Sequence, residues 1–391
     1  MISREAVPQL NQMKFGLALS GGGVRAAIFH LGVLARLARD GLLENVSFLS
    51  TVSGGSLAVG LIYCKAGYAW PSSDGYLGGI VDTIREQLTS SNVQWSYIRR
   101  SVMKPWRLLR GRAHVLGDVL TRKWGIYGDL SDLPSEPRWI INATCYETGK
   151  NWRFSQPRMG DYQTQYVLNP SFPLADALAA SAAFPGMIGP LKIFSHHFPW
   201  QKFGVESQEM EPVQPRLPSY HLWDGGVYDN LGVEALYKPN GGLRDGVDFL
   251  VVSDASKPIN LALRSWKDFL LGRRFLRLVN IAKDQVRAIR SRMIVSSFQQ
   301  YPLSGVYLRI GNTGSEIYRK ARKSVPLIDQ LAADEVSKAL NMETTLRCVA
   351  KAEFDLLFRH GFEVTDATLC AYQSDRFSAI PFVGAADISR R

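Results

Sequence analysis

Phe15-Gly16-Leu17-Ala18-Leu19-Ser20 is a short, almost unbroken apolar run. It breaks into Gly21-Gly22-Gly23, after which apolar residues resume at helical spacing through Val24, Ala27, Ile28, Leu31 and Leu34. This pattern predicts strand, glycine loop, helix. It then recurs: Phe48 to Val52 reads as a strand, stops at Ser53, and Gly54-Gly55-Ser56-Leu57 opens a second helix. Two such units in succession predict an α/β fold, a parallel sheet wrapped by helices through right-handed crossovers. In that architecture ligands bind at the carboxyl ends of the strands, where both glycine-rich turns lie.

Downstream, Arg138 to Tyr146 and Asn151 to Phe154 flank a turn and predict a hairpin at the sheet margin. Pro173 to Gly186 reads as an alanine-rich helix stopped by Pro185, and the proline-rich stretch from Phe198 to Tyr220 as an insertion loop. His221-Leu222-Trp223-Asp224-Gly225-Gly226 sets an acid on a tight turn, and Phe249 to Ser253 is a further strand ending at Asp254. Beyond Lys257 the pattern turns helical to the end. Leu271, Phe275, Leu278, Ala282, Ile289 and Met293 approximate one stripe there, opposite Arg273, Arg274, Arg277, Lys283, Arg287 and Arg290. A boundary near Lys257-Pro258 divides a core at 1–257 from a mostly helical region at 258–391 packed on it.

With 46% hydrophobic and 21% charged residues in 391, the composition is that of an ordinary globular protein. The net charge of +11 changes the picture, because it predicts a surface attracted to nucleic acid or to anionic lipid headgroups. The basic run from Val93 to Trp124 has the character of a solvated helix face. Cys64, Cys145, Cys348 and Cys370 lie far apart, without zinc or disulfide spacing, and read as mostly buried free thiols. Met1-Ile2-Ser3-Arg4-Glu5 lacks the order of a secretory signal, and no run reaches membrane-spanning length. The expectation is a cytoplasmic protein whose contact with membrane is peripheral.

Candidate chemistry centres on Ser53. A serine on a sharp strand-to-helix turn projects its hydroxyl out of the fold, and the amide of Gly54 points to the same space. Consecutive amides at Gly21, Gly22 and Gly23 suit a phosphate or a developing oxyanion, but neither the dinucleotide fingerprint nor a nucleoside triphosphate loop is present. The hydroxyl needs a base. None of the six histidines, His30, His114, His196, His197, His221 and His360, sits in a pattern that marks it, and His30 reads as a packing or surface residue. Asp224 can serve directly if it is hydrogen-bonded to Ser53 and shielded from water. Ser56 is a rival nucleophile, but it lies within the first helical turn rather than at its sharp start.

SGGGVRAAIFHLGVL (20–34), TVSGGS (51–56), ASAAFP (180–185) and DGG (224–226) occur in one order, which resembles the patatin-like phospholipases, serine hydrolases similar to the catalytic domain of cytosolic phospholipase A2. The resemblance implies a three-layer fold with a mainly parallel central sheet and helices on both faces. It also implies a Ser-Asp dyad of Ser53 and Asp224, with Gly21, Gly22, Gly23 and Arg25 around the oxyanion site and Arg25 toward substrate. Thr51 departs from the pattern, since glycine is usual two residues before the serine. The implied activity is lipid acyl hydrolysis at a phospholipid membrane surface with a fatty-acyl substrate and no metal or cofactor. Two other readings remain: a nucleic-acid binder through residues 98–123 and 264–292, although nucleic acid is not the expected partner, and a hydrolase gated by a nucleotide signal. The sequence leaves a homodimer and a small-molecule activator open.

Overall fold

A computed structural model describes residues 10–103, 111–186, 188–204, 209–259 and 271–384, without the side chains of residues 11 and 271–273. In chain order its principal strands are β1 (Phe15–Leu19), β2 (Val46–Val52), β3 (Arg138–Cys145), β4 (Asn151–Phe154), β5 (Arg158–Asp161), β6 (Gln165–Leu168), β7 (Leu191–Phe194), β8 (Trp200–Phe203), β9 (Met210–Pro212), β10 (Ser219–Asp224), β11 (Phe249–Asp254) and β12 (Gly305–Arg309). The helices that matter for the site are α1 (Gly23–Ala38), α2 (Gly54–Lys65), α3 (Val93–Met103), α4 (Arg112–Trp124), α5 (Leu174–Ser181), α6 (Leu271–Gln300) and α7 (Lys351–Tyr372).

The strands form one twelve-stranded sheet in the order β12-β11-β1-β2-β3-β4-β5-β6-β8-β9, with β10 joining β3 and β7 joining β10. From β12 to β3 every pairing is parallel, and from β4 onward every pairing is antiparallel. Helices cover both faces, as the repeated strand-loop-helix unit requires.

Side-chain alternation along the central strands divides two cores. Phe15, Leu17 and Leu19 of β1, with Phe249 and Val251 of β11, face a large core that includes α1, α2 and α7. Ala18, Leu250 and Val252 face a smaller core with Leu231, Val233, Leu236, and Ile294 and Phe298 of α6. Strands buried on both faces read as unbroken apolar runs, which is why β1 and β11 are legible as strands.

Several expectations give way to tertiary context. The β3–β4 hairpin lies inside the sheet, because β4 to β9 extend it on the far side. Residues 198–220 are not a bare loop, since they carry β8, β9 and the start of β10. The helix expected to run to Pro185 ends at Ser181, where Gly225 N–H donates to the Ser181 carbonyl and Asp224 N–H to that of Ala183. The region beyond Lys257 is not helical throughout: β12 pairs in parallel with β11 and adds an edge to the core sheet. Of the four free thiols only Cys145 is buried, and the others are half-buried.

α7 is fixed to α1 by two reciprocal glycines. A Cβ on Gly32 would stand 2.0 Å from the Phe358 carbonyl oxygen, and one on Gly361 would stand 2.0 Å from that of Phe29. The helices therefore cross backbone to backbone. One turn further on, buried Arg36 meets buried Asp366 at 2.7 Å. The C-terminal region is thus built into the core from both sides of the sheet. No helix among the described residues is long and apolar enough to cross a membrane.

Candidate active site

The sheet register brings Ser53 and Asp224 together. On one edge of β3, Asn142 pairs with Val52 of β2 and the next residue, Ala143, pairs with Asp224 of β10. β4 occupies the other edge over the same residues, so β2 and β10 meet end to end on a single edge. Each chain must turn away there, and the two turns carry the serine and the aspartate.

Ser53 sits at the turn from β2 into α2 with φ 48° and ψ −112°, a backbone conformation that a side chain rarely adopts. A hydrogen-bonded chain holds it there. Ser53 N–H donates to Ser181 Oγ at 2.9 Å, and Ser181 O–H donates to the Asn142 carbonyl at 2.7 Å. A hydroxyl has one proton, so Ser56 Oγ at 2.9 Å must donate to Ser181. Thr51 Oγ1 at 2.9 Å must in turn donate to Ser56, while Trp139 Nε1 donates to Thr51 at 2.8 Å. Thr51, the departure from glycine, is therefore a link in the chain that pins the Ser53 amide. Ser56 is fully buried within that chain and does not reach the cavity.

Asp224 is 3% exposed and its Oδ1 accepts from Gly226 N–H at 2.7 Å, which leaves Oδ2 for another partner. Ser53 and Asp224 line the same cavity of about 660 Å³ without a hydrogen bond between them. Such contacts often tighten only with substrate bound.

The glycine loop lies against the elbow. A Cβ on Gly54 would stand 2.2 Å from the Gly23 carbonyl oxygen, so the turn and the loop approach as closely as backbones allow. Gly21 was an expected amide donor to the oxyanion, but its N–H is engaged by the Asn230 carbonyl at 3.1 Å. Among the described residues the Gly22, Gly23 and Gly54 amides have no hydrogen-bond partner; Gly22 and Gly23 line the cavity, whereas Gly54 packs behind Gly23. His30 is a packing residue whose two ring nitrogens are both engaged. Its Nε2 contacts the Ser20 carbonyl and its Nδ1 the Ser253 hydroxyl, both at 2.9 Å. Burial lowers its pKa to about 4, so it is neutral, with the proton on Nε2 and Nδ1 accepting from Ser253. It anchors the loop and is no base for Ser53.

A family model for patatin-like phospholipases matches residues 17–237, more than half of the chain. The chain belongs to the patatin-like phospholipase family. Among curated relatives, a patatin-like phospholipase domain-containing protein of Pyricularia oryzae strain 70-15 is 23% identical over 258 residues, covering 64% of this chain and 28% of the relative. Its counterpart from strain Y34 matches equally. This patatin-like chain thus spans under a third of the length of these relatives. Among solved structures, human GIVD cytosolic phospholipase A2 superposes with a TM-score of 0.51 at 13% identity, over 95% of this chain and 64% of that one. That likeness shows a shared fold. The family is one of lipid hydrolases.

Within this patatin-like site, Arg25 lines the cavity but has its terminal nitrogens engaged by carbonyls. Its Nη1 donates to the Met342 carbonyl at 2.9 Å and its Nη2 to that of Ala255 at 3.0 Å. Burial lowers its pKa to about 10 against the opposing pull of Asp254. It ties the loop to the C-terminal region. Another part of the wall comes from α6, on which Phe275, Leu278 and Ile289 are exposed (64%, 64% and 59%), while Lys283, Arg287 and Arg290 turn inward. Arg287 Nη1 meets fully buried Asp254 at 2.9 Å, and Arg290 Nη2 meets Glu234 at 2.9 Å. Sequence reasoning missed Ser181, Asn230 and Lys283. Ser181 was visible as the polar residue in an otherwise apolar ASAAF run; nothing local singles out Lys283 among its basic neighbours.

Proposed function

We propose that this protein is a lipid acyl hydrolase of phospholipase A type, which cleaves carboxylic esters of membrane phospholipids through an acyl-serine intermediate. The observation that carries the reading is the strained Ser53, pinned through its amide and sharing a cavity with Asp224 and the partnerless amides of Gly22 and Gly23. Asp224 takes the Ser53 proton as Oγ attacks the ester carbonyl. The amides of Gly22 and Gly23, which line the cavity, stabilise the oxyanion. Asp224 returns the proton to the leaving alcohol, then activates the water that releases the fatty acid. Lipid mass spectrometry after incubation with mixed phospholipids tests this: Ser53→Ala and Asp224→Asn should each lower product formation by about 10³-fold or more with circular dichroism unchanged. A Ser53→Ala protein as active as its parent would refute the mechanism.

The surface favours peripheral attachment to anionic lipid. α3 and α6 both line the cavity, and both present apolar residues outward: Trp95, Ile98, Val102 and Met103 from one, Phe275, Leu278, Ile281 and Ile289 from the other. α3 contains no acid, and the one acid of α6, Asp284, is bound to Arg287. An apolar face without acids on a protein of charge +11 suits an anionic bilayer. The nucleic-acid reading loses ground because Arg287 and Arg290 engage core acids. Part of its two basic stretches, residues 104–110 and 264–270, lies outside the described residues.

A further inference from the structure

Five cations line the catalytic cavity: Arg25, Lys257, Arg277, Lys283 and Arg287. Arg25 is held by carbonyls, Lys257 Nζ donates to the Asn341 carbonyl at 2.9 Å, Arg287 is paired with Asp254 and Asp284, and Arg277 is likewise engaged. Lys283 alone has no hydrogen bond or ion pair among the described residues. Its ammonium rests over the Phe184 ring, 4.6 Å from the centroid, in the wall of the cavity. Burial pushes its pKa down, and the Asp224 carboxylate, near enough to act through space, partly offsets that. A cation removed from water, without a carboxylate in contact and in a cavity that admits a ligand, has the chemistry of an anion-binding element.

We infer that Lys283 binds the phosphodiester of a glycerophospholipid substrate and makes this cavity prefer phospholipid over uncharged acyl glycerides. The inference rests on the Ser53–Asp224 reading above. Asp224, as the acid that reprotonates the leaving alcohol, marks the leaving-group side of the ester. In a phospholipid that alcohol is the glycerol oxygen, and the phosphate hangs from the same glycerol. Lys283 lines the same cavity, close enough to Asp224 for the carboxylate to act on it through space, so its ammonium is placed to meet the leaving-group side of the ester. It also screens the carboxylate from the incoming phosphate. Arg25, the cation nearest the glycine loop in sequence, has its terminal nitrogens occupied, so the role falls to a residue of α6.

The test compares phosphatidylglycerol with diacylglycerol of the same acyl chains in nonionic mixed micelles at fixed surface fraction. Lys283→Gln should raise KM for the phospholipid about 10- to 100-fold, the loss expected of one charge-assisted hydrogen bond, with kcat within a few-fold. Any effect of removing a charge near Asp224 should appear in kcat for both lipids alike, so the KM rise should be confined to the phospholipid, and Lys283→Arg should restore most of the phospholipid KM. An equal KM rise on both lipids, or none on either, overturns the proposal. Thermal melts of Lys283→Gln and Lys283→Met guard against a folding defect, which would depress both substrates together. Ser53→Ala run alongside separates the two readings: if it is inactive while Lys283→Gln behaves as wild type, the dyad stands and the phosphate site falls, whereas an active Ser53→Ala protein removes both.

Discussion

α1 and α6 both mix apolar and basic residues, yet they stand in opposite relation to solvent. Every residue of α1 is buried, and each of its polar side chains has a partner: Arg25 reaches carbonyls, His30 holds Ser20 and Ser253, and Arg36 meets Asp366 and Asp40. α6 turns Lys283, Arg287 and Arg290 inward and Phe275, Leu278 and Ile281 outward. The difference lies in what each helix meets. α1 packs on the apolar faces of β1 and α7. Near its middle α6 crosses the carboxyl ends of the strands, where Asp224, Asp229, Glu234 and Asp254 gather, and only a cationic face matches that wall. The usual rule that a helix buries its apolar stripe fails where the buried surface is a functional, acidic one.

The largest effect expected from breaking this contrast is at the α1–α7 crossing. Gly32→Ala would normally favour a helix by up to about 1 kcal/mol. Here the added methyl meets the Phe358 carbonyl oxygen at 2.0 Å, with no flexible side chain to yield. The net result should be destabilisation of about 3 kcal/mol or more, read as a lower urea midpoint. A midpoint at or above that of the parent would mean that the two backbones are not in contact.

A smaller effect comes from the buried imidazole of α1. His30 titrates at about 4 in the fold, against about 6.5 when unfolded. Its folded pKa is depressed, so the unfolded chain takes up the proton first. Stability is therefore intact above pH 6.5, falls as pH drops toward 4, and is flat below. At pH 5 the loss is about 2 kcal/mol. His360, which burial also lowers to about 4, adds a similar slope. Urea unfolding of wild type and His30→Gln at pH 7 and pH 5 checks this: the variant should show roughly half the pH dependence, and equal slopes would show that His30 is not held neutral.

What the chain discloses and what it withholds follow the same division. The serine elbow, glycine loop and DGG turn are each encoded within a few residues, because a sharp turn needs small residues at fixed offsets. α1, β1 and β11 are legible because burial on all sides leaves a dense apolar run. Gly32 and Gly361 look like ordinary helical glycines, since their reason lies 329 positions apart in the chain. The loss of Gly21 as an oxyanion donor depends on where Asn230 arrives, and the isolation of Lys283 depends on every other cation in the cavity finding a partner. For α6, periodicity identifies two faces but cannot say which is covered, because that is decided by the acids on strand ends far away in sequence.

The smallest effect on stability, and the one that most sharpens the comparison, belongs to the outer face of α6. Phe275 and Leu278 are each 64% exposed, so replacing both by serine removes little buried area and should lower the unfolding free energy read from urea melts by less than about 0.5 kcal/mol. The same double substitution in the core-facing part of α1 would unfold the chain. If the outer face is a bilayer-docking surface, Phe275→Ser/Leu278→Ser should nonetheless lose about 10-fold or more in binding to phosphatidylglycerol vesicles, from the two apolar side chains it no longer inserts. Sedimentation with vesicles, in a Ser53→Ala background so that substrate is not consumed, measures this without catalysis. Undiminished binding would make the exposed stripe an incidental consequence of satisfying the acids beneath. Reduced binding at unchanged stability would show that turning the cations inward also gives the protein its outward grip on lipid.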